Sequence, residues 1–258
     1  MKYSKKIIIK LGIVSLSLLY FSCNKQVELT GTVLPNSNTS AVVQVFNATV
    51  KATRNYIYVD GVAVSGATLV YGAVFPSTAY GFRVDAGSRN FLIKDTLPAT
   101  TQTPITFSQS IIAEKSYTIF TYDTITSVKQ ATVLNNIVIP TDTTSRLRFA
   151  NFVYNATAVA NVDVYSYRNL PGTPVFIGGA PVLTTSLPVF RNVATTSVTD
   201  FIPYASGKTD TLYVYATGTT SPLLVKQLSP SLVPTRSYTS AYNGSYSGTK
   251  VVSTFATY

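Results

Sequence analysis

The sequence predicts an all-β protein: two tandem immunoglobulin-like β-sandwich domains after a signal peptide and a short tether. Three observations lead there. The chain has 18 Tyr and 13 Phe but only 12% charged residues, and β-branched and aromatic side chains suit a half-buried pleated surface better than a helix. Almost no segment has helical periodicity. Short alternating apolar runs appear instead, separated by turn residues. The order of these runs in the first half then returns in the second.

The chain opens with four lysines, Lys2, Lys5, Lys6 and Lys10, ahead of an apolar run from Leu11 to Phe21 that ends at Ser22-Cys23. A basic start, a short apolar segment and a small residue before the cut form an export signal. The run is about half the length needed to cross a bilayer as a helix, so residues 1–22 are expected to be cleaved. Cys23 is the sole cysteine. The arrangement resembles bacterial lipoprotein signals in the relaxed form of the Bacteroidota, with Leu19 four residues before the cysteine rather than three. The resemblance implies that Cys23 is lipidated and that the protein sits at the outer membrane or cell surface, held by its N-terminal lipid. Each buried methylene contributes about 0.8 kcal/mol, so several acyl chains hold stably. Only Glu28 is acidic in the residues that follow, which leaves both the periplasmic side and the exterior open. Residues 23–39 are polar and are expected to act as a flexible tether.

The first sandwich is expected over residues 40–139. Its strands are Ala41 to Phe46, Tyr56 to Val59, Val62 to Val64, Tyr80 to Val84, Phe91 to Lys94, Ile105 to Phe107 and Tyr117 to Tyr122. Asp60-Gly61 between the second and third is a strong hairpin signal, and Asp85-Ala86-Gly87 marks another turn. The second sandwich is expected over 144–258, after the polar stretch Pro140 to Thr144. Leu147 to Asn151 echoes Val43 to Asn47. Asn161 to Tyr165 echoes Asn55 to Val59, Asp200 to Gly207 echoes Gly81 to Gly87, Leu212 to Tyr215 echoes Phe91 to Lys94, and Arg236 to Thr239 echoes Lys115 to Thr118. The period drifts, which places an insertion in the second copy around Arg168 to Leu187, where Pro and Gly are dense. A final hairpin is expected around Asn243-Gly244, followed by an edge strand from Lys250 to Tyr258. Two sets of seven or eight short strands fit the size of a β-sandwich better than a single barrel.

The motifs Arg148-Phe149-Ala150-Asn151, Val162-Asp163-Val164-Tyr165 and Glu114-Lys115-Ser116-Tyr117-Thr118-Ile119 resemble the bacterial family called domain of unknown function 4397. In that family an R-F-x-N-A start, a V-D-V-Y strand and a G-K-x-Y-T ending recur. The resemblance implies two tandem copies, over about 40–135 and 144–258. That family has no established activity, so no catalytic residue follows from the likeness.

Composition excludes several chemistries. There is no histidine, the commonest general base and zinc ligand. With Cys23 in the signal there is no thiol nucleophile, thiolate metal site or Ser-His-Asp triad. No Gly-rich loop joins a strand to a helix for a nucleotide, and no cofactor is expected. The leader accounts for four of the 20 basic residues, leaving 16 against 10 acids. These are scattered singly, so no phosphate-binding stripe forms and no nucleic-acid partner is expected.

Carboxylates and tyrosines remain. Asp60, Asp85, Asp142 and Asp210 sit beside turn residues, where Asp bonds nearby backbone. Asp163 alternates with valines on a strand and should face solvent. No acidic cluster suits calcium. Tyr56 with Tyr58, Tyr165 with Tyr167, and Tyr213 with Tyr215 each share a strand face by the two-residue period. Such rings either pack across strands or, if exposed, contact a ligand with large area at low entropy cost. The expected function is a non-catalytic binding or structural module touching a polysaccharide or another envelope protein. The alternative is a carboxylate-dependent glycan hydrolase, which needs two acids facing across a cleft.

Overall fold

The computed structural model describes residues 37–78, 80–168, 175–229 and 231–258. The signal peptide, Cys23 and most of the tether lie outside the described residues. Residues Ser37–Tyr258 form one compact unit. The fold is all-β, as expected, and its only helical element among the described residues is a 3-10 turn over Ser37–Thr39 that leads into the first strand.

In the first half, β1 (Ser40–Asn47), β4 (Val74–Phe75), β5 (Phe82–Asp85), β8 (Ser116–Tyr122) and β9 (Lys129–Leu134) form one sheet. Its order is β4-β1-β8-β9, with β5 beside β4 on the same edge of β1. The β1–β8 pair is parallel. A second sheet has the order β3-β2-β6-β7, from β2 (Asn55–Val59), β3 (Val62–Ala63), β6 (Gly87–Asp95) and β7 (Ile105–Ile111). Asp60 (φ 49°) and Gly61 (φ 81°) are both left-handed, as a tight two-residue hairpin requires. Ala86 marks the point where the chain leaves the first sheet at β5 and enters the second at β6.

The second half repeats this plan. β10 (Ser145–Tyr154), β15 (Ser197–Val198), β16 (Ile202–Tyr204), β19 (Ser237–Ser245) and β20 (Lys250–Ala256) form a sheet of order β15-β10-β19-β20, with β16 on β10 and a parallel β10–β19 pair. Its companion is β14-β11-β17-β18, from β11 (Val162–Ser166), β14 (Phe190–Val193), β17 (Thr211–Ala216) and β18 (Pro222–Gln227). Within the expected insertion, β12 (Phe176–Ile177) and β13 (Ala180–Pro181) form a separate hairpin.

Register tests the echo residue by residue. Val43 pairs with Tyr117 as Leu147 pairs with Tyr238, so those two alignments hold. Ile93 faces Ile57 and Val214 faces Val164. Aligning Phe91 with Leu212 therefore places Val164, not Asp163, at the position of Ile57. The Asn55–Asn161 alignment is one residue out. A slip of one would turn Asp163 into the core position that Ile57 fills. The final hairpin also moves. Asn243 and Gly244 lie inside β19, and the turn falls at Tyr246 to Gly248. Gly244 has φ 113°, and a Cβ there would collide with the Thr249 carbonyl. The glycine serves a close backbone approach, not a turn.

Each half has its own core between its two sheets. Val43, Val45, Ile57, Phe91, Ile93 and Ile119 belong to the first; Leu147, Phe149, Val164, Leu212, Val214 and Tyr242 belong to the second. A third cluster joins them. Phe46, Ala48 and Phe120 pack against Ala150, Phe152, Ala241 and Phe255, with Phe120 stacked 4.5 Å from Phe152. The two five-stranded sheets thus lie back to back, and their central strands are buried on both faces, as is usual for strands in parallel pairs. The Asn that recurs at equivalent positions of β1 and β10 is a loop anchor. Asn47 donates to the Ala52 and Leu69 carbonyls, and Asn151 donates to the Val193 carbonyl.

Candidate functional site

Four-stranded sheets form the outer layers, and their outward faces carry five of the six candidate tyrosines on regular strands. In the second copy Tyr165 and Tyr213 are directly opposed, and Tyr215 faces Asp163. Tyr165 meets Tyr215 edge-on, with ring centroids 5.4 Å apart. These three rings are buried, packed with Phe176 and Leu183 from the insertion. The Tyr213 hydroxyl donates to the Gly179 carbonyl. Burial raises the pKa of all three phenols. Tyr165, Tyr213 and Tyr215 are therefore packing residues in this conformation, because the hairpin of the insertion covers them. Tyr167 lies just past β11, 47% exposed, with its ring 4.5 Å from Phe176 at the rim of that cover.

In the first copy the equivalent face has no such cover among the described residues. Tyr56 is opposite Lys94 and Tyr58 is opposite Leu92, and all four are half-buried. The Lys94 ammonium lies 5.1 Å from the centre of the Tyr58 ring, a cation–π distance. Across β6, Thr106 stands opposite Leu92 and Ser108 opposite Asn90, with exposed hydroxyls. The Ser108 hydroxyl donates to Asn90 Oδ1 at 2.6 Å. The result is a flat surface of two phenol rings, one ammonium and a row of hydroxyls. Sequence reading found Tyr56 and Tyr58 but missed Leu92, Lys94, Thr106 and Ser108. The β2–β6 and β6–β7 pairings that bring these together are long-range, and no local signal marks them.

The carboxylates hold loops. Asp60 accepts from the Asn90 amide and the Arg89 guanidinium, which together lower its pKa. Asp95 is held well below the usual carboxylate range, first by the Arg54 guanidinium at 2.9 Å and then by the Leu97 amide and Thr100 hydroxyl. Asp142 accepts from the Thr144 amide and hydroxyl, and Asp163 from the Asn192 amide. Asp210 accepts from Ser166, Tyr204 and the amides of Arg168 and Thr211. No group of three or more acids, cysteines or histidines gathers among the described residues. A cleft of about 660 Å3 lies beside the junction of the halves, walled by Tyr80, Leu134, Val138, Ile139 and Tyr258, and Glu114 is its one acidic wall residue.

No family model and no curated protein matches this chain. Among solved structures, one similar chain comes from work on alpha-glucan recognition by family 41 carbohydrate-binding modules from streptococcal virulence factors. It has 10% identity and a TM-score of 0.25, over 81% of this chain and 94% of that one. Another is a putative cell adhesion protein from Bacteroides ovatus, at 12% identity and a TM-score of 0.25 over 83% and 94%.

Proposed function

We propose that this protein is a lipid-anchored module of the cell envelope that binds without catalysis, using the outer sheet face of its first half to contact a polysaccharide. The observation that carries this reading is the surface of Tyr56, Tyr58, Leu92 and Lys94 beside the Thr106 and Ser108 hydroxyls, left uncovered among the described residues. Phenol rings stack on the apolar faces of sugar rings, while an ammonium and hydroxyls supply hydrogen bonds. A flat face suits an extended chain better than a small molecule, which needs a concave pocket. The acids weigh against the hydrolase alternative. Most are engaged with neighbouring backbone or basic groups, and the cleft at the junction has one carboxylate where glycoside hydrolysis uses two.

The anchor rests on the basic leader, the apolar run and Cys23. Mass spectrometry of protein from cells is expected to find Cys23 as an acylated N-terminus; an intact leader with a free thiol would refute the anchor. For the binding face, the protein lacking residues 1–23 is expected to bind a subset of glycans on an array. Tyr56→Ala and Tyr58→Ala should each weaken that binding about tenfold, from roughly 1–1.5 kcal/mol per ring. The covered Tyr165→Phe should leave it unchanged. Absence of binding to any glycan, or equal loss from changes on both faces, would overturn the reading.

A further inference from the structure

We infer that β7 is a strand-pairing edge for a second copy of this chain, joined antiparallel across a two-fold axis midway between the two Ser108 residues. Among the described residues β7 pairs only with β6, at the end of the β3-β2-β6-β7 sheet. Its other edge pairs with no strand among the described residues, where the Ser110 carbonyl accepts only from the Gln109 side chain at 3.1 Å, and such an edge is a template for another strand. Natural edges are blunted by proline, by charge, by bulges or by shortness. The duplication supplies the comparison. The equivalent strand β18 begins with Pro222, carries Lys226 and meets β17 through a register irregularity. The edge strands β9 and β20 each begin on a lysine. β7 is Ile105-Thr106-Phe107-Ser108-Gln109-Ser110-Ile111, seven residues with neither charge nor proline.

The sequence of β7 also selects the occupant. Read outward from Ser108, it is nearly its own mirror. In an antiparallel self-pair about that residue, Ser108 faces its copy and Thr106 faces Ser110 of the other chain. Ile105 faces Ile111 in the same way. Thr106, Ser108 and Ser110 are the exposed positions, while Ile105 and Phe107 pack on the core and Ile111 is buried. Hydroxyl meets hydroxyl on the outer face; beneath it Ile105 meets Ile111 at the ends and the Phe107 ring lies across from the Gln109 side chain, which gives the two-fold symmetric contact such an interface demands. The axis stands perpendicular to the sheet, so the four-stranded sheets join into one of eight strands. The Tyr56 and Tyr58 surfaces of both copies then lie on the same side of it, although the inference does not depend on what those surfaces bind. A single seven-residue strand pair covers far less than the roughly 1,600 Å2 of a standard interface. The dimer is accordingly weak and reversible.

The full chain in mild detergent, carrying Cys23→Ser, is expected to sediment as a concentration-dependent monomer–dimer mixture. Ser108→Lys places two ammonium groups opposite one another and should weaken the dimer at least tenfold. Its melting temperature should stay near the parent's, because Ser108 is exposed. The same background supports a register test. Ser108→Cys alone should form a disulfide dimer under mild oxidation, since directly opposed Cβ atoms lie about 4.5–5.5 Å apart, close to disulfide reach. Thr106→Cys alone should not, but a mixture of Thr106→Cys and Ser110→Cys chains should. A chain that stays monomeric at millimolar concentration, or a dimer indifferent to Ser108→Lys, would overturn the inference. Thr106→Cys cross-linking as readily as Ser108→Cys would do the same.

Discussion

The two outer sheets are built on one plan and end in opposite states. Tyr58 corresponds to Tyr165, Leu92 to Tyr213 and Lys94 to Tyr215, as the shared pairing of β2–β6 and β11–β17 requires. In the first copy, the chain after β2 turns through Asp60-Gly61 and pairs at once as β3. In the second, it makes a long excursion after β11 before returning as β14, and Phe176 and Leu183 from that excursion seal three tyrosines. The strand pattern is alike in both. What decides whether an aromatic face is core or surface is the length of one loop. Duplication permits this division, because the back-to-back layer of Phe46, Phe120, Phe152 and Phe255 keeps both copies in place while their outer faces diverge.

That shared layer gives the largest expected effect. Phe120 is fully buried and stacks on Phe152, with Phe46 centred 6.0 Å away. Phe120→Ala should cost about 3–5 kcal/mol, lowering the melting temperature by about 6–20 °C for a body of this size. Calorimetry is expected to show the parent melting in one transition, since the cluster couples the halves. A parent with two transitions, of which Phe120→Ala shifts only the first, would make the copies thermally separate.

Next in size is a polar pair at equivalent positions of β1 and β10. Gln44 donates from Nε2 to the Ala256 carbonyl, in the other half. Arg148 reaches back, donating to Thr118 of the first half and Thr239 of its own, with its guanidinium 4.7 Å from the centre of the Phe201 ring. Arg148 is 2% exposed, and burial pulls its pKa down to about 9. It still carries charge at neutral pH, and removing that charge from water opposes folding. Arg148→Ala should lose about 2–4 kcal/mol through the cavity it leaves, whereas Arg148→Met should be within about 1 kcal/mol of the parent, or more stable. The sign with pH follows from a folded-state value below the unfolded one. The charge penalty is present in full below about pH 9 and fades as pH rises toward the unfolded value, so the parent should gain on Arg148→Met in alkali. Denaturant midpoints at pH 7 and pH 10 measure both.

A smaller effect addresses the cover itself. Phe176 is half-buried over Tyr213, at 5.9 Å between ring centres. Phe176→Ala should cost about 1–2 kcal/mol of apolar burial. It should also open Tyr213 and Tyr215 to nitration, read by peptide mass spectrometry, while leaving Tyr56 and Tyr58 as reactive as before. Unchanged protection of the second-copy rings would mean that Leu183 and the Gly179 carbonyl suffice.

How much of this was legible in the residues follows the range of the interactions. The alternation of Ala41, Val43 and Val45, the Asp60-Gly61 hairpin and the return of Lys-Ser-Tyr-Thr as Arg-Ser-Tyr-Thr are local, and they placed the all-β class and the second strand set. The insertion was visible because Pro and Gly crowd it, but not its role as a lid over Tyr165. The Asn161 alignment slipped by one because Asn55 is the first residue of β2 whereas Asn161 lies one residue before β11, and only pairing with β17 settles the face. Asn243-Gly244 carried a turn's sequence into the last residues of β19, where the approach of Thr249 demands glycine for a different reason. β9 was missed, since the alternation of Ala131 and Val133 with Gln130 and Thr132 is short and weakly apolar, and the strand depends on its pairing with β8 and on packing at the junction.

The smallest expected effect compares the two acids that brace the outer sheets. Asp95 closes β6 and ties Arg54, the Leu97 amide and the Thr100 hydroxyl. Asp210 precedes β17 and gathers Ser166, Tyr204 and two amides. Arg54 stays 45% exposed in its side chain, so water screens that ion pair, and Asp95→Asn should cost only about 1 kcal/mol at neutral pH. The folded Asp95 carboxyl is depressed, chiefly by the Arg54 hydrogen bond. Its stabilisation is therefore present above the unfolded value of about 4 and is lost as pH falls below it. Parent and Asp95→Asn should differ at pH 7 and converge in acid. Raising salt at pH 7 should shrink the difference only in part, because the amide and hydroxyl bonds to Asp95 are shielded where the ion pair is not. A difference that salt abolishes would assign the brace to Arg54 alone.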